Sequence, residues 1–276
     1  KFVNDEMQTV GLVGGPSMFN PVAPPAEWAV ADTQTSFAVG LAMNAFNEDN
    51  AAAMAEKLTH SVSSQNVDDA GKTRPAYSLM TGFIGTAWIS KALSENGYTD
   101  DAYRLLLNDQ YPSWLYPIDQ GATTIWERLN GYTVEDGFGG NNSMNSFNHY
   151  SFGAIGEWLI SHSGGIQRLS PGFKTFALKP EFDPQNEIDW VKAEYDSPYG
   201  KISSHWQVKD GKFDYRVTIP ANTTATISLP GAQQALKIDG ENVNASKFVT
   251  NVSRADELNT FSLGSGTYQI TGAINE

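Results

Sequence analysis

The sequence predicts two domains of different class, a helical domain followed by an all-β domain. Over about the first 165 residues, apolar side chains recur every three or four positions, which is typical of amphipathic helices. From about residue 170 onward, apolar and polar residues alternate, which is typical of strands with one buried face. Because the period changes once and the helices precede the strands, the pattern favours two separate domains over a βαβ arrangement.

The helical part begins after a Gly- and Pro-rich segment, residues 1–31, which predicts a loop. Residues 32–33 (Asp-Thr) form a helix start, and Phe37 and Leu41 lie on one face of the helix that follows. The last helix stops at Gly164-Gly165, and five or six helices in all predict an antiparallel helical array. The later helices are predicted over about residues 51–64, 84–94, 99–109 and 147–162.

The β part is marked by turn residues between alternating segments. Residues 197–200 (Ser-Pro-Tyr-Gly) and Asp210-Gly211 are both typical of hairpin turns. We place the domain boundary between residues 164 and 171, which assigns residues 1–168 to the helical domain and residues 169–276 to an antiparallel β-sandwich.

Composition restricts the ligands. The net charge of −13 argues against a nucleic acid or an anionic membrane as partner, because both require a basic face. The chain has no cysteine, which excludes thiolate nucleophiles and Cys-based zinc sites. The four histidines are scattered and no phosphate-binding or dinucleotide-binding glycine motif is present, so we expect neither a metal nor a cofactor. The composition leaves the cellular compartment open.

The segment TTIWERLNGY, residues 123–132, holds the first candidate for chemistry. Glu127 stands between Trp126 and Arg128, directly after the turn-forming residues 121–124. One interpretation is a loop that presents the Glu127 carboxylate as a general base, with Arg128 helping to keep it charged. The other is a helix start that carries a surface ion pair, and spacing alone favours that ion pair.

A second group of polar residues follows in the segment MNSFNHYSFG, residues 144–153. His149 and its neighbour Asn148 supply donors and acceptors that suit sugar hydroxyls, although a hydrogen-bonded helix cap explains them equally well. Asp136 lies in the Gly-rich segment before this group and is either a loop carboxylate or a turn residue, with the turn favoured.

Several stretches match one known family in order and spacing, over nearly the whole chain from residue 32. They are DTQTSFAVGLA (32–42), TGFIGT (81–86), LSENGYTDDAYRLLLNDQYPSWLY (93–116), DQGATTIWERLNGY (119–132), MNSFNHYSFGAIGEWL (144–159) and DSPYGKISSHW (196–206). Together they resemble the bacterial α-L-rhamnosidases of glycoside hydrolase family 78.

The resemblance implies an (α/α)6 toroid followed by a C-terminal β-sandwich, and hydrolysis of terminal α-L-rhamnosyl groups with inversion. It implies that Glu127 is the general base, that His149 contacts the sugar and that Trp126 walls the site. We add Asn148 and Asp136 to the expected sugar pocket. The expected partner is therefore a rhamnose-containing glycoside or polysaccharide.

The resemblance also implies that this chain is only the C-terminal portion of such an enzyme. The acidic block that holds the family's general acid is not found here and is expected upstream. Five or six helices are also about half the number that a six-hairpin toroid requires. We therefore expect an N-terminal remainder to pack on the helical half. The alternatives are a non-catalytic carbohydrate-binding remnant and another six-hairpin glycosidase.

Overall fold

A computed structural model describes residues 10–13, 27–30, 32–68, 71–139, 145–255 and 257–274, and it divides the chain into two units. The first unit is Lys1–Ile155 and the second is Gly156–Glu276. Residues 10–13 and 27–30, the described parts of the predicted loop over residues 1–31, are strands, so the loop prediction is wrong there. The rest of that segment and residues 140–144 lie outside the described residues.

The described part of the first unit is mainly helical, as its sequence period predicts. Two short antiparallel strand pairs accompany the helices: β1 (Val10–Val13) with β2 (Glu27–Val30), and β3 (Asn66–Val67) with β4 (Thr73–Arg74). The helices are α1 (Gln34–Ala42), α2 (Glu48–Ser63), α3 (Gly82–Thr86), α4 (Ile89–Glu95), α5 (Thr99–Leu107) and α6 (Tyr116–Asp119).

A buried amide joins α1 to the segment that leads into α3. The Gln34 side chain is 2% exposed. Its Nε2 donates to the Ser78 carbonyl at 3.1 Å, and its Oε1 accepts from the Met80 N–H at 2.9 Å. Because a buried amide without partners is costly, these bonds fix residues 78–80 against the start of α1.

The helix predicted over residues 84–94 is two helices, α3 and α4, with a break at residues 87–88. The Thr86 hydroxyl donates to the Gly82 carbonyl at 2.5 Å, and the Trp88 N–H donates only three residues back, to Gly85, at 3.0 Å. A threonine hydroxyl that bonds the carbonyl four residues earlier tends to bend a helix. The apolar period continues through this bend and gives no sign of it.

The predicted helix over residues 147–162 begins too early. Helical structure starts with a 3₁₀ turn at Ser151–Ala154, continues as α7 (Ile155–Trp158) and ends in a π turn at Leu159–Ser163. Residues 145–149 are not helical, because their backbone groups pair with another loop. The predicted end is correct, since the Gly164 N–H donates to the Leu159 carbonyl at 2.8 Å and closes the last turn.

The second unit is built from two sheets that enclose one core. Within the described residues, the first sheet has five strands in the order β13-β14-β10-β6-β5, and the second has six in the order β12-β11-β15-β9-β8-β7. Pairing is antiparallel except between β6 and β10, which are parallel. The strands are β5 (Ile166–Arg168), β6 (Thr175–Leu178), β7 (Trp190–Ser197), β8 (Gly200–Lys209), β9 (Lys212–Ile219), β10 (Thr224–Leu229), β11 (Lys237–Ile238), β12 (Glu241–Asn242), β13 (Val249–Ala255), β14 (Leu258–Leu263) and β15 (Gly266–Ala273).

Both predicted hairpin turns are confirmed. Asp210 and Gly211, with φ of 50° and 70°, connect β8 to β9, as a two-residue turn of the primed type requires. The turn at residues 198–199 connects β7 to β8. A helical part followed by a β-sheet domain is therefore the architecture of this chain, as the sequence predicts.

Three buried polar groups tie the β core to the segment that precedes β5. The Trp206 Nε1–H donates to the Ser163 carbonyl at 2.8 Å, and the Ser204 hydroxyl donates to the Gly164 carbonyl. The Tyr215 hydroxyl lies 2.9 Å from that of Ser204, and burial raises the pKa of Tyr215 far above its usual range. Tyr215 therefore stays protonated and keeps its hydrogen bond.

We expect Gly165→Ala to lower the unfolding free energy of the β-domain by about 2–5 kcal/mol. Gly165 has a φ of +76°, and an added Cβ would lie 2.2 Å from the backbone nitrogen of Pro180. Backbone strain of about 1–2 kcal/mol therefore adds to an overpacking cost of about 1–3 kcal/mol.

The matched control is Gly211→Ala, which also has a positive φ (+70°) but no atom within 4 Å of an added Cβ. Hydrogen exchange of the β8 and β9 amides measures both changes. Equal effects of the two substitutions would contradict the steric argument.

Candidate functional site

Two loop segments lie side by side and position the candidate residues. The Glu127 N–H donates to the Ser146 carbonyl at 2.8 Å, and the His149 N–H donates to the Ile125 carbonyl at 2.8 Å. The Thr124 hydroxyl donates to the Phe147 carbonyl. No helix includes residues 123–132, so the segment is a loop and the alternative of a helix start is wrong.

The Glu127 carboxylate is oriented by the same partner that holds its backbone. Its Oε2 accepts a hydrogen bond from the Ser146 N–H at 2.8 Å. Its Oε1 has no hydrogen-bond partner within the described ranges, and the side chain is half-buried. One oxygen is thus fixed by a main-chain donor, and the other remains available to a water or a ligand.

The Trp126 side chain is 7% exposed in this chain. Its ring meets the Phe147 ring edge-on, with centroids 5.0 Å apart. The Phe147 ring in turn meets the Phe138 ring with centroids 5.6 Å apart, and the Phe138 ring meets the Tyr132 ring with centroids 5.2 Å apart. These ring contacts join the two loops, so the observed contribution of Trp126 is support for the backbone next to Glu127.

His149 lies between two aromatic rings. It stacks on Phe83 with centroids 4.8 Å apart and on Tyr150 at 5.4 Å. The Ser151 N–H donates to His149 Nδ1 over 3.4 Å, a long bond that favours the tautomer with its proton on Nε2. In that tautomer Nε2–H can donate to a ligand.

Asn148 and Asp136 are both exposed residues of turns. The Asn148 N–H donates to the Ser146 hydroxyl at 3.2 Å. The Asp136 N–H donates to the Thr133 hydroxyl at 3.0 Å, within a turn closed by two backbone bonds between Thr133 and Gly137. Asp136 thus takes the turn position that its sequence context favours, and its carboxylate faces solvent.

Two contributors to this site, Ser146 and Phe83, carry no signal in the sequence, whereas Asn145 belongs to the cluster of Asn residues around His149. Ser146 acts through its main chain, which any residue possesses. Phe83 lies far away in sequence and is recognisable only as the support of His149. The Asn145 amide donates to the Gly131 carbonyl at 2.8 Å and so fixes the end of the Glu127 loop.

A cavity of about 450 Å³ borders the Glu127 loop on the side of Arg128. Arg74 and Tyr111 also line it. The Arg74 guanidinium forms an ion pair with Asp68 at 2.5 Å and lies 4.5 Å from the centre of the Tyr111 ring. Burial raises the pKa of Tyr111, so this wall supplies a neutral hydroxyl beside two cations.

The described residues contain no group of three or more His, Asp or Glu side chains that could hold a metal ion. None of the helices formed by these residues is long and apolar enough to cross a membrane.

We expect Gly131→Ala to accelerate hydrogen exchange at the Glu127 and Ser146 amides by about tenfold, which corresponds to about 1.4 kcal/mol. An added Cβ would lie 2.4 Å from Asn145 Oδ1 and 3.2 Å from the Arg128 carbonyl, so the Asn145–Gly131 bond would be disturbed. Gly156→Ala is the control, because nothing lies within 4 Å of its added Cβ. Unchanged exchange at both amides in Gly131→Ala would contradict the coupling.

Comparison with known proteins identifies relatives for both units. Residues 22–162 match the family described as bacterial alpha-L-rhamnosidase 6 hairpin glycosidase domain, and residues 165–244 match the bacterial alpha-L-rhamnosidase C-terminal domain. An alpha-L-rhamnosidase of Formosa agariphila is 39% identical over 219 residues, which cover 79% of this chain and 22% of that protein. One of Streptomyces avermitilis is 33% identical over 240 residues, or 87% of this chain and 21% of that protein.

Solved structures of α-L-rhamnosidases have the same fold as the matching part of this chain. The Streptomyces avermitilis alpha-L-rhamnosidase complexed with L-rhamnose superposes with a TM-score of 0.75 at 32% identity, covering 87% of this chain and 21% of that one. The alpha-L-rhamnosidase of Dictyoglumus thermophilum has the same fold, with a TM-score of 0.73 at 24% identity, and covers 87% of this chain and 25% of that one. The chain thus spans about a fifth of the length of the two curated relatives, 22% and 21%. It belongs to the bacterial α-L-rhamnosidase family and comprises part of the six-hairpin glycosidase domain together with the C-terminal domain.

Proposed function

We propose that this chain is the part of an inverting α-L-rhamnosidase that supplies the general base, Glu127. The observation that carries the proposal is the anchoring of one carboxylate oxygen by the Ser146 N–H, while the other oxygen has no partner among the described residues. An oriented carboxylate with one open oxygen is what a base needs in order to hold and deprotonate a water. The bound L-rhamnose of the Streptomyces avermitilis relative supports rhamnose as the sugar.

In the proposed reaction, Glu127 Oε1 accepts a proton from a water as that water attacks the anomeric carbon. The bond between the anomeric carbon and the glycosidic oxygen breaks on the opposite face of the sugar. A second carboxyl group, supplied from outside this chain, protonates the departing oxygen. Inverting enzymes keep the two carboxyl groups about 6.5–9.5 Å apart to leave room for the water.

The other candidate residues bind the sugar in this proposal. His149 Nε2–H donates to a hydroxyl, while its ring is held between Phe83 and Tyr150. The Asn148 amide and the Asp136 carboxylate are exposed and supply further polar contacts. Trp126 walls the site through the loop that it supports.

We further propose that the remainder of a longer polypeptide packs on the helical unit. Large apolar side chains of this unit stand in solvent, among them Tyr150 at 86%, Val134 at 72% and Ile84 at 71% exposure. A contiguous cover of further helices would bury them. The 276-residue chain expressed alone should therefore unfold non-cooperatively in its helical unit, and co-expression with the remainder should restore a sharp transition. A cooperative, monomeric helical unit without any cover would contradict this.

We expect Glu127→Gln in the full-length enzyme to lower kcat by about 10²–10⁴-fold, because the amide cannot accept the proton of water. The amide oxygen can still accept from the Ser146 N–H, so the fold should survive. The control is Glu135→Gln, an exposed acid in the neighbouring turn, which should retain full activity. Similar rates for both variants would remove Glu127 from the role of base.

We expect β-L-rhamnose to be the first product released from an α-rhamnoside, since a single displacement inverts the anomeric centre. NMR of the anomeric proton in the first minutes, before mutarotation, measures this outcome. Initial appearance of the α anomer would indicate two displacements and contradict the proposed mechanism.

We expect His149→Phe to raise KM about 10–100-fold, because the variant keeps the stack on Phe83 but loses the Nε2–H donor; loss of one polar contact to a bound ligand costs about 1–3 kcal/mol. His60→Phe is the control, since His60 is an exposed residue in the last turn of α2. An unchanged KM in His149→Phe would show that the ring face, and not its N–H, matters.

A further inference from the structure

The six-stranded sheet has a face directed away from the sandwich core, and strand alternation determines its residues. On β8, Ile202, Trp206 and Val208 are buried, so the residues between them, such as His205 and Gln207, lie on the opposite face. The same alternation holds on β9, where Phe213, Tyr215 and Val217 are buried. We call this surface the outer face.

The register aligns the side chains of the outer face in rows across the strands. The first row runs from β7 to β11 and contains Trp190, Gln207, Asp214, Thr271 and Lys237. The second row contains Lys192, His205, Arg216 and Gln269. A shorter third row, on the other side of the first, contains Lys209, Lys212 and Ala273.

These rows concentrate positive charge in an acidic chain. They hold five of the chain's 18 Lys and Arg residues but only one of its 31 acidic residues, Asp214, although the net charge of the chain is −13. Such segregation creates a local positive potential that attracts anions.

Most of this positive charge is not used within the molecule. Asp214 accepts from Gln269 Nε2 at 2.7 Å and lies 3.5 Å from Arg216 Nε. The lysines of the three rows form no ion pair with any described residue; they are Lys192, Lys209, Lys212 and Lys237. By contrast, Lys201, at the far end of β8, is paired with Glu194 at 2.7 Å.

An exposed tryptophan starts the first row. Trp190 is 56% exposed, and Lys192 Nζ lies 5.7 Å from the centre of its ring. Its flat, exposed ring surface is well suited to stack on the apolar face of a sugar.

Two shallow depressions join along these rows. One, of about 490 Å³, is lined by Trp190, Lys192 and Arg216, and the other, of about 580 Å³, by Lys209, Lys212 and Lys237. Both share Gln207 and Asp214, so they form one trough across the strands. The row from β7 to β11 crosses four strand spacings, or roughly 19 Å, which accommodates several linked sugar rings.

We propose that the outer face binds an acidic polysaccharide. One sugar ring stacks on Trp190, and the anionic groups of the polysaccharide contact Lys209, Lys212 and Lys237. Membership of a glycosidase family favours a polysaccharide over other polyanions, and the unpaired lysines favour an acidic one over a neutral one. The anionic groups are carboxylates of uronic acids or sulfate esters. This site is separate from the Glu127 loop and holds the chain of a substrate without taking part in cleavage.

The test is affinity electrophoresis of the full-length enzyme in gels that contain polygalacturonate, dextran sulfate or neutral dextran. We expect retardation by at least one of the acidic polymers, weakening as salt is raised, and none by dextran. Polygalacturonate and dextran sulfate distinguish carboxylate from sulfate as the recognised group. Retardation by dextran alone overturns the proposal. Absence of retardation by every polymer overturns it as well, also where the reason is that the rest of the enzyme covers the outer face.

Two variants locate the binding. The first is a triple variant, Lys209→Ala/Lys212→Ala/Lys237→Ala, and the second is the single variant Trp190→Ala. Each should weaken retardation by the acidic polymer about tenfold. Lys247→Ala/Phe248→Ala, a lysine and a 47% exposed aromatic outside the rows, should not change it. Equal weakening by this control, or none by the first two variants, overturns the proposal. Equal retardation of the wild type by single-stranded DNA would reveal general polyanion binding and also overturn it.

Hydrolysis of a small aryl α-L-rhamnoside separates this proposal from the catalytic one. The outer-face variants should keep the kcat and KM of the wild type on that substrate, because the substituted residues take no part in the proposed Glu127 site. An enzyme without rhamnosidase activity that is still retarded by an acidic polymer would disprove the catalytic role and leave the outer-face site standing.

Discussion

The arrangement of the candidate site depends on the double attachment of Glu127 to one residue, Ser146. The Glu127 backbone donates to the Ser146 carbonyl, and its carboxylate accepts from the Ser146 N–H, both at 2.8 Å. Since the segment around Glu127 has no regular secondary structure, these cross-loop bonds define its shape. Main-chain partners restrict the carboxylate more than a long side chain would, because they bring no rotamer freedom of their own. The aromatic row from Trp126 to Tyr132 packs against the same two loops.

The same pairing explains where sequence-based prediction failed. The apolar period over residues 147–162 predicts one helix, but residues 145–149 give their hydrogen bonds to the Glu127 loop, and the helical turns start at Ser151. Periodicity reports which residues face a core; it carries no information on a partner some twenty positions away. Glu127 and His149 are candidates because the resemblance implies a role for their side chains. Ser146 and Phe83 were missed because a backbone amide and a ring beneath a histidine have no comparable mark.

The β-domain was predictable for the opposite reason, since its determinants are local. Asp210-Gly211 specifies a tight hairpin by backbone conformation alone, and the alternation on β8 and β9 then decides which residues are buried. What remained hidden was the set of buried polar partners, in which Ser204 joins the Gly164 carbonyl to the Tyr215 hydroxyl. An alternating pattern predicts that position 204 faces inward. From the sequence alone, a serine there is a buried hydroxyl without known hydrogen-bond partners, which would destabilise the core.

The two proposed sites rest on different physical arrangements. In the helical unit, a single carboxylate is fixed by main-chain bonds between irregular loops, so its position is sensitive to small changes such as a methyl group at Gly131. In the β-domain, strand register spreads lysines and one tryptophan over a regular face, where no single contact fixes the geometry. Proton transfer requires the first arrangement, because reacting atoms must meet within hydrogen-bond distance. Retention of a long charged polymer suits the second, because many weak contacts of one sign tolerate sliding and variation in the ligand. The net charge of the chain is −13, so lysines gathered in three rows of one sheet face are consistent with that proposed division.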